Sequence, residues 1–352
     1  MRSPRVRWNG FILAVLLLAA AAQSVGNAAT RDLQLFTRVH PAMGTEFTLY
    51  IYASDEAVAD HEAEHVFGIV DDLEALLSNY QPQSELSRIN RIAGREAVTT
   101  DPETFRFLED SLRWSALSNG AFDITVGRLM KAWGFFRSTG HVPGEAELSQ
   151  VRDVTGWRHV VLDPGTRAVR FSTDGIELDP GGIGKGFAVD AAVETMRSDG
   201  VSAAMLSAGS STIYALGAPP GTTGWKVRVP NPERPGAVSV VTLRDTSLST
   251  ANCAEKHFVS DGHRYCHIMD PRTLRPVEGR VQATVIAPSA TDSDALSNVM
   301  FVEDAAGRRR VMNALPAADR ALVILAAGPQ ERWRWVDEDG EQMRSESKEP
   351  KR

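Results

Sequence analysis

Hydrophobic positions in this chain fall into three spacings, and each predicts a different kind of element. An uninterrupted apolar run, residues 11–22, stands behind Arg2, Arg5 and Arg7 and before the small residues around Ala28 and Ala29. From 55 to 80 the apolar residues recur every three or four positions, with Val66, Ile69, Val70, Leu73 and Leu77 on one stripe. That period predicts an amphipathic helix with its stripe in the core. Short apolar or alternating runs between turn residues predict strands over 46–52, 203–206, 212–216, 225–229, 238–243, 267–269 and 281–286. Residues 159–162 and 168–171 read as a hairpin about Asp163-Pro164-Gly165-Thr166.

Capping residues place further elements. Asp101-Pro102 opens a helix that runs to Asn119-Gly120, because an oxygen-bearing cap followed by proline satisfies the first turn. Residues 81–97 are polar and read as a loop, whereas 292–302 and 305–314 read as late helices. A strand at 322–325 and the segment 333–335 close the domain, and the chain from Asp337 is polar and reads as frayed. Helices and antiparallel hairpins mix without a βαβ rhythm, so the fold class is α+β, one large domain of mixed antiparallel sheets with helices.

The first apolar run has the basic, apolar and small-residue parts of a secretory signal, cut near Gly26-Asn27-Ala28. Export to the periplasm is the expectation; left uncut, the segment would tie the chain to the inner membrane. A net charge of -7 and the absence of a long basic run argue against nucleic acid as a partner. Cys253 and Cys266 are the only cysteines; they are no metal motif, and whether they pair is open at this level.

Residues 179–190, Asp-Pro-Gly-Gly-Ile-Gly-Lys-Gly-Phe-Ala-Val-Asp, follow the apolar run 176–178 and lead into a helix through Met196, stopped at Gly200. Strand, glycine turn and helix would make an anion cradle, because helix N-termini present unpaired N–H groups and glycines let an anion approach them. Lys185 adds a mobile charge. The spacing fits neither a P-loop, since Gly186 follows Lys185 where Ser or Thr is needed, nor the dinucleotide fingerprint, since Val189 replaces its last glycine. A tight structural turn with a surface lysine is the alternative.

Two other patterns carry possible metal chemistry. His61-Glu62-Ala63-Glu64-His65 is a literal H-E-x-x-H, but helical rotation sets it away from the apolar stripe, so it reads as a solvated face. In 291–298, Asp294 and Asn298 stand four apart and share a helix face beside Ser297, a set of hard oxygens that suits magnesium. The plainer reading is a helix capped by Asp292 or Ser293.

Taken in order, Met43-Gly44-Thr45, Leu77-Ser78-Asn79-Tyr80 with 84–90, 120–127, 179–190, 267–272 and 292–298 resemble the motifs of the FAD:protein FMN transferases, the ApbE family. The match spans 39–326. The resemblance implies a fold like the T-fold, here a domain over 30–340 between the signal read at 1–29 and a polar tail at 341–352. It implies a magnesium-dependent enzyme that splits the pyrophosphate of FAD and joins FMN by a phosphoester to a threonine of a target flavoprotein, releasing AMP. Hydrolysis of FAD to FMN and AMP, or flavin binding without catalysis, are the alternatives.

Carried over by position, the resemblance puts Met43, Tyr80, Ala121, Phe122, Asp123, Asp179, Lys185 and Ile268 around FAD and gives Mg2+ the Gly182 carbonyl, Asp294 and Asn298. Asp123 reads equally as a backbone cap. Lys185 and Asp294 serve catalysis with His267 as the base that takes the threonine proton; an ordinary histidine ending a strand is the other reading. Acceptors would be exported flavoprotein domains of membrane electron-transport complexes. The chain departs from the family at Gly209-Ser210-Ser211 and Ala251-Asn252-Cys253.

Overall fold

The computed structural model describes residues 33–230, 238–254, 256–315 and the strand segments 322–327, 334–336 and 342–343. In chain order, β1 (Gln34–Ala42) and β2 (Thr45–Ala53) are followed by α1 (Glu56–Leu77), α2 (Glu85–Ile92), β3 (Val98–Thr99), α3 (Pro102–Leu117), α4 (Gly127–Ala132) and α5 (Glu145–Arg152). Next come β4 (Val160–Asp163), β5 (Ala168–Phe171), α6 (Gly184–Ser198), β6 (Ala203–Ala208), β7 (Thr212–Gly217), β8 (Trp225–Pro230) and β9 (Val238–Leu243). The chain continues through β10 (Thr246–Asn252), β11 (His257–Ser260), β12 (His263–Cys266), β13 (Met269–Asp270), β14 (Arg275–Pro276) and β15 (Arg280–Ala287). It closes with α7 (Ala290–Val302), α8 (Ala305–Ala314), β16 (Leu322–Ala327), β17 (Arg334–Val336) and β18 (Gln342–Met343).

Nine strands form an antiparallel sheet in the order β1-β2-β6-β7-β10-β15-β16-β17-β18. Its central strands are apolar on both faces, and the two-residue period sorts them. Ala204, Leu206 and Ala208 of β6 join Phe47, Leu49 and Ile51 of β2 in the main core, under α1, α6 and α7. Ala203 and Met205 point the other way, onto Trp225, Val227 and Val229 of the β8–β9 hairpin. Trp225 is 1% exposed, and its indole N–H donates to the Leu216 carbonyl at 3.2 Å, so the hairpin is bonded as well as packed. A third cluster, Leu129, Trp133, Phe135, Leu148, Val151, Met269 and Leu274, lies under α4, α5 and β13–β14.

The α+β class and most expected elements are present, and the differences have local causes. Residues 81–97, expected as a loop, contain α2, capped by Ser84, whose hydroxyl oxygen accepts from Ser87 N–H at 3.0 Å. Its polar composition hides a strong amphipathic stripe of Leu86 and Ile89. The run 176–178 joins no sheet; Val126 and Glu177 make one parallel bridge, and the Asn90 amide clamps Leu178 by accepting from its N–H (2.8 Å) and donating to its carbonyl (3.1 Å). His267 sits between β12 and β13 rather than in a strand. α7 starts at Ala290 with Ser289 as cap, so neither Asp292 nor Ser293 caps it. Cys253 and Cys266 form a disulfide.

In the H-E-x-x-H segment both histidines are exposed, with ring centroids 4.2 Å apart, but Glu62 is buried at 8% exposure, contrary to a fully solvated face. Among the described residues no group of three or more His, Cys, Asp or Glu is arranged to hold a metal ion, and no helix is long and apolar enough to cross a membrane. The signal at 1–29 and Trp333 lie outside the described residues, as does the tail from Asp337 except Gln342–Met343.

Candidate active site

A cleft of about 610 Å³ opens beside the β1–β2 turn, the N-terminus of α6 and the chain after β12. Met43, Tyr80, Ala121, Phe122, Asp123, Asp179, Gly182, Lys185, His267, Ile268, Asp294 and Asn298 all line it. Met43 reaches it from a turn with φ of +49° followed by Gly44 at +70°, the left-handed pair that a tight hairpin requires.

The glycine stretch supports one wall. Asp179 N–H donates to the Ile124 carbonyl at 2.7 Å, Pro180–Gly182 make a single 3₁₀ turn, and α6 follows from Gly184. Gly186 is dictated by packing: a Cβ there would lie 2.2 Å from the Ala290 carbonyl oxygen, so α6 and α7 cross where no side chain fits. At that crossing Asp294 Oδ2 accepts the Gly186 N–H at 3.0 Å. The cradle is therefore partly filled by the protein's own carboxylate, at the positive end of the helix. One turn on, the Asn298 side-chain amide lies 3.2 Å from the Gly182 carbonyl oxygen and 3.0 Å from the Asp294 carbonyl oxygen. Gly182 and Asp294 thus bring carbonyl and carboxylate oxygens together, and Asn298, whose Nδ2 donates to both carbonyl oxygens here, would add a third oxygen with its amide turned; such a set could hold a small cation. Lys185 is half-buried beside them and makes no ion pair among the described residues.

α7 is held in place by Asp190 of α6. Its carboxylate accepts from Ala290 N–H (2.7 Å), Thr291 N–H (2.8 Å) and the Thr291 hydroxyl (2.6 Å). Loss of hydration raises the Asp190 carboxyl above the usual aspartate range, against the pull of those donors.

Aromatic and charged groups make the remaining walls. The Tyr80 ring lies flat on Phe136, with centroids 4.4 Å apart and planes 6° off parallel, and Lys131 stands 4.8 Å over Phe136. Asp179 accepts from Gly181 N–H at 2.8 Å. Burial raises its carboxyl, while Gly181, Asn79, Lys256 and Lys131 pull it down. Lys256 is lowered by burial and raised by Asp179. The His267 N–H donates to the Lys256 carbonyl at 3.2 Å, and Nδ1 lies 2.8 Å from the same oxygen. A carbonyl only accepts, so Nδ1 carries the hydrogen and Nε2 the lone pair.

Asp123 lines the cleft and also braces backbone. Thr125 donates to Oδ1 through N–H (2.8 Å) and hydroxyl (2.6 Å), and Trp157 N–H donates to Oδ2 at 2.7 Å, so the carboxylate braces the backbone at the cleft edge. Lys256 and Asn79 are cleft residues to which sequence reasoning assigned no role, and Phe136 backs the Tyr80 ring. Asn79 stood inside a quoted motif; Lys256 and Phe136 had no local signal, because their positions depend on how distant segments fold back.

The sequence model of the ApbE family matches residues 43–322. The chain belongs to the ApbE family. An FAD:protein FMN transferase of Treponema pallidum is 29% identical over 92% of this chain and 93% of its own length. One from Klebsiella pneumoniae is 30% identical over 74% of this chain and 79% of its own. Among solved structures, the ApbE protein of Thermotoga maritima superposes with a TM-score of 0.76 at 29% identity, covering 89% of this chain and 97% of the other. The flavin transferase ApbE of Vibrio cholerae shares the fold at a TM-score of 0.74, covering 86% and 96% at 23% identity.

Proposed function

We propose that this chain is an FAD:protein FMN transferase that moves FMN from FAD to a threonine hydroxyl of another protein and releases AMP. The observation that carries the proposal is the crossing of α6 and α7, which gathers Gly182, Lys185, Asp294 and Asn298 in a cleft also lined by His267, within a chain of the ApbE family.

FAD lies with its pyrophosphate toward Lys185, whose ammonium offsets charge that builds on the phosphoryl oxygens. Asp179, already oriented by Gly181 and Asn79, accepts from the nucleotide. Tyr80 offers a flat aromatic face to a ring, its other face being backed by Phe136. The threonine Oγ forms a bond to the FMN phosphorus, the bond from that phosphorus to the bridging oxygen breaks, and AMP leaves with that oxygen. His267 takes the hydroxyl proton at Nε2, the nitrogen left basic by the Lys256 carbonyl.

The donor set fits magnesium. The Gly182 carbonyl and the Asp294 carboxylate are oxygen donors of the kind magnesium takes, and the Asn298 amide lies 3.2 Å from the Gly182 oxygen. Turning the amide presents Oδ1 instead of Nδ2. When bound, the ion would be held by Gly182, Asp294 and Asn298 and would supply positive charge to the pyrophosphate. We also read 1–29 as a secretory signal and the working compartment as the periplasm, with exported flavoprotein domains of membrane electron-transport complexes as acceptors.

Incubation with FAD, magnesium and a threonine-bearing acceptor domain tests the reading. Flavin fluorescence that stays on the acceptor through denaturing electrophoresis, with one AMP released per flavin attached, is the expected result. Free FMN without labelled acceptor would make the protein an FAD pyrophosphatase, and the absence of AMP would make it a flavin binder.

A further inference from the structure

The Cys253–Cys266 disulfide has no part in the chemistry above, yet it sits at the root of the segment that delivers two cleft residues. Cys253 follows directly on β10, a strand of the main sheet, and its N–H donates to the Val281 carbonyl of β15 at 3.4 Å. Cys266 ends β12 and is bonded to Cys253 with 5.2 Å between Cα atoms. Both cysteines are buried, at 9% and 4% exposure. Lys256 lies three positions after one cysteine, and His267 immediately after the other.

The β11–β12 hairpin between them is a separate two-stranded sheet. The Phe258–Tyr265 pair, next to its root pair His257–Cys266, is seated on the third core cluster by Phe258 against Phe135 (5.3 Å) and Tyr265 against Trp133 (5.4 Å). Its root ties to the main sheet through the sulfur bridge. The His267–Lys256 contact fixes the two residues to each other, but both could shift together without breaking it. Beyond the chain itself, which leaves β10 at Cys253, the disulfide is the cross-link that ties the far strand and His267 back to β10, and hence sets the pair relative to Asp179, Lys185 and Asp294 across the cleft.

We infer that the Cys253–Cys266 bond is a positioning element for phosphoryl transfer, one that holds His267 and Lys256 in register with the opposite wall and makes the rate depend on the redox state of the chain. The inference rests on the transferase reading. Reduction by a dithiol breaks the S–S bond and places two electrons and two protons on the sulfurs; the dithiol becomes a disulfide in return. An error of about 1 Å in the placement of a base is worth up to about a hundredfold in rate.

The test compares the oxidised chain, the chain reduced with dithiothreitol and freed of reductant without air, and a Cys253→Ala, Cys266→Ala variant, with the bond state read by mass spectrometry. The expected result is a fall of about tenfold or more in kcat, a KM for FAD within about twofold, recovery on reoxidation of the reduced chain, and faster amide hydrogen exchange confined to residues 254–270. Unchanged exchange in that segment, unchanged kcat with the bond absent, or equal losses of kcat and FAD affinity would each overturn the inference, as would global unfolding of both bond-free forms. If the oxidised chain transfers no FMN, the transferase reading fails, whereas the exchange measurement still decides whether the bond positions the segment.

Discussion

Asp294 Oδ2 accepts the backbone N–H of Gly186 at 3.0 Å, across 108 positions of sequence. This contact fastens the Asp294–Asn298 face of α7 to the first turn of α6, and the glycine is what permits it. In Gly186→Ala the new methyl would meet the Ala290 carbonyl oxygen at 2.2 Å and Asp294 Cβ at 2.8 Å. The helices must separate, at a cost of about 1–3 kcal/mol for overpacking. A lower urea midpoint together with at least tenfold slower transfer is expected; a variant with both unchanged would mean that the crossing relaxes freely.

Asp294→Asn keeps an acceptor for Gly186 but removes the charge. Transfer should fall by about a hundredfold or more, about 2.7 kcal/mol in the barrier, while the melting temperature stays close to the parent's. Magnesium titration of the variant checks the cause: the half-saturating concentration should rise steeply. Normal turnover at ordinary magnesium would remove Asp294 from the proposed metal site.

His267→Ala should lose transfer by about a hundredfold with FAD affinity retained, since a positioned base contributes 10²–10⁴-fold. Fluorescence titration of FAD against both proteins separates binding from chemistry. Equal turnover in the variant would assign proton removal elsewhere.

The parallel rings of Tyr80 and Phe136 should matter to binding rather than to rate. Tyr80→Ala removes one member of the stack, and a loss of about 0.5–1.5 kcal/mol corresponds to a Kd for FAD raised by about twofold to tenfold. A fall in kcat at saturating FAD, with Kd constant, would contradict this division.

Asp179 gives a stability effect whose sign follows from its raised carboxyl. Between the unfolded value of 3.8 and the higher folded value, the native state binds more protons than the unfolded chain. Stability therefore declines as pH rises through that window and stays reduced above it. Asp179→Asn removes the charge and keeps an acceptor for Gly181. Urea midpoints measured from pH 4 to 8 should fall less steeply in the variant, with higher stability than the parent at pH 7 and weaker FAD binding. A parallel pair of curves would rule out Asp179 as the source.

Legibility from sequence tracked how local each cause was. The i, i+4 pair Asp294 and Asn298 could be read because helical geometry alone brings them to one face. The glycine run could be read as a turn and helix start, but the reason for Gly186 lies in Ala290, a residue of another helix. The expected strand at 176–178 failed because Asn90 supplies through one side chain the two hydrogen bonds that a strand neighbour would supply. Glu62 was misassigned because rotation about a helix axis says which way a residue points and not what packs there; it turned out buried. The capping role of Asp123 could be read from its neighbour Thr125, whereas its bond from Trp157, 34 positions away, could not.

The strand order β1-β2-β6-β7-β10-β15 has a consequence for how the protein matures. Met43 comes from one end of that sequence and Asn298 from beyond its last strand, so every wall of the cleft depends on pairings between distant segments. A partly folded chain has no smaller version of the site to offer. Retention of flavin is accordingly a test of completed folding, one that scores the closure of the entire sheet.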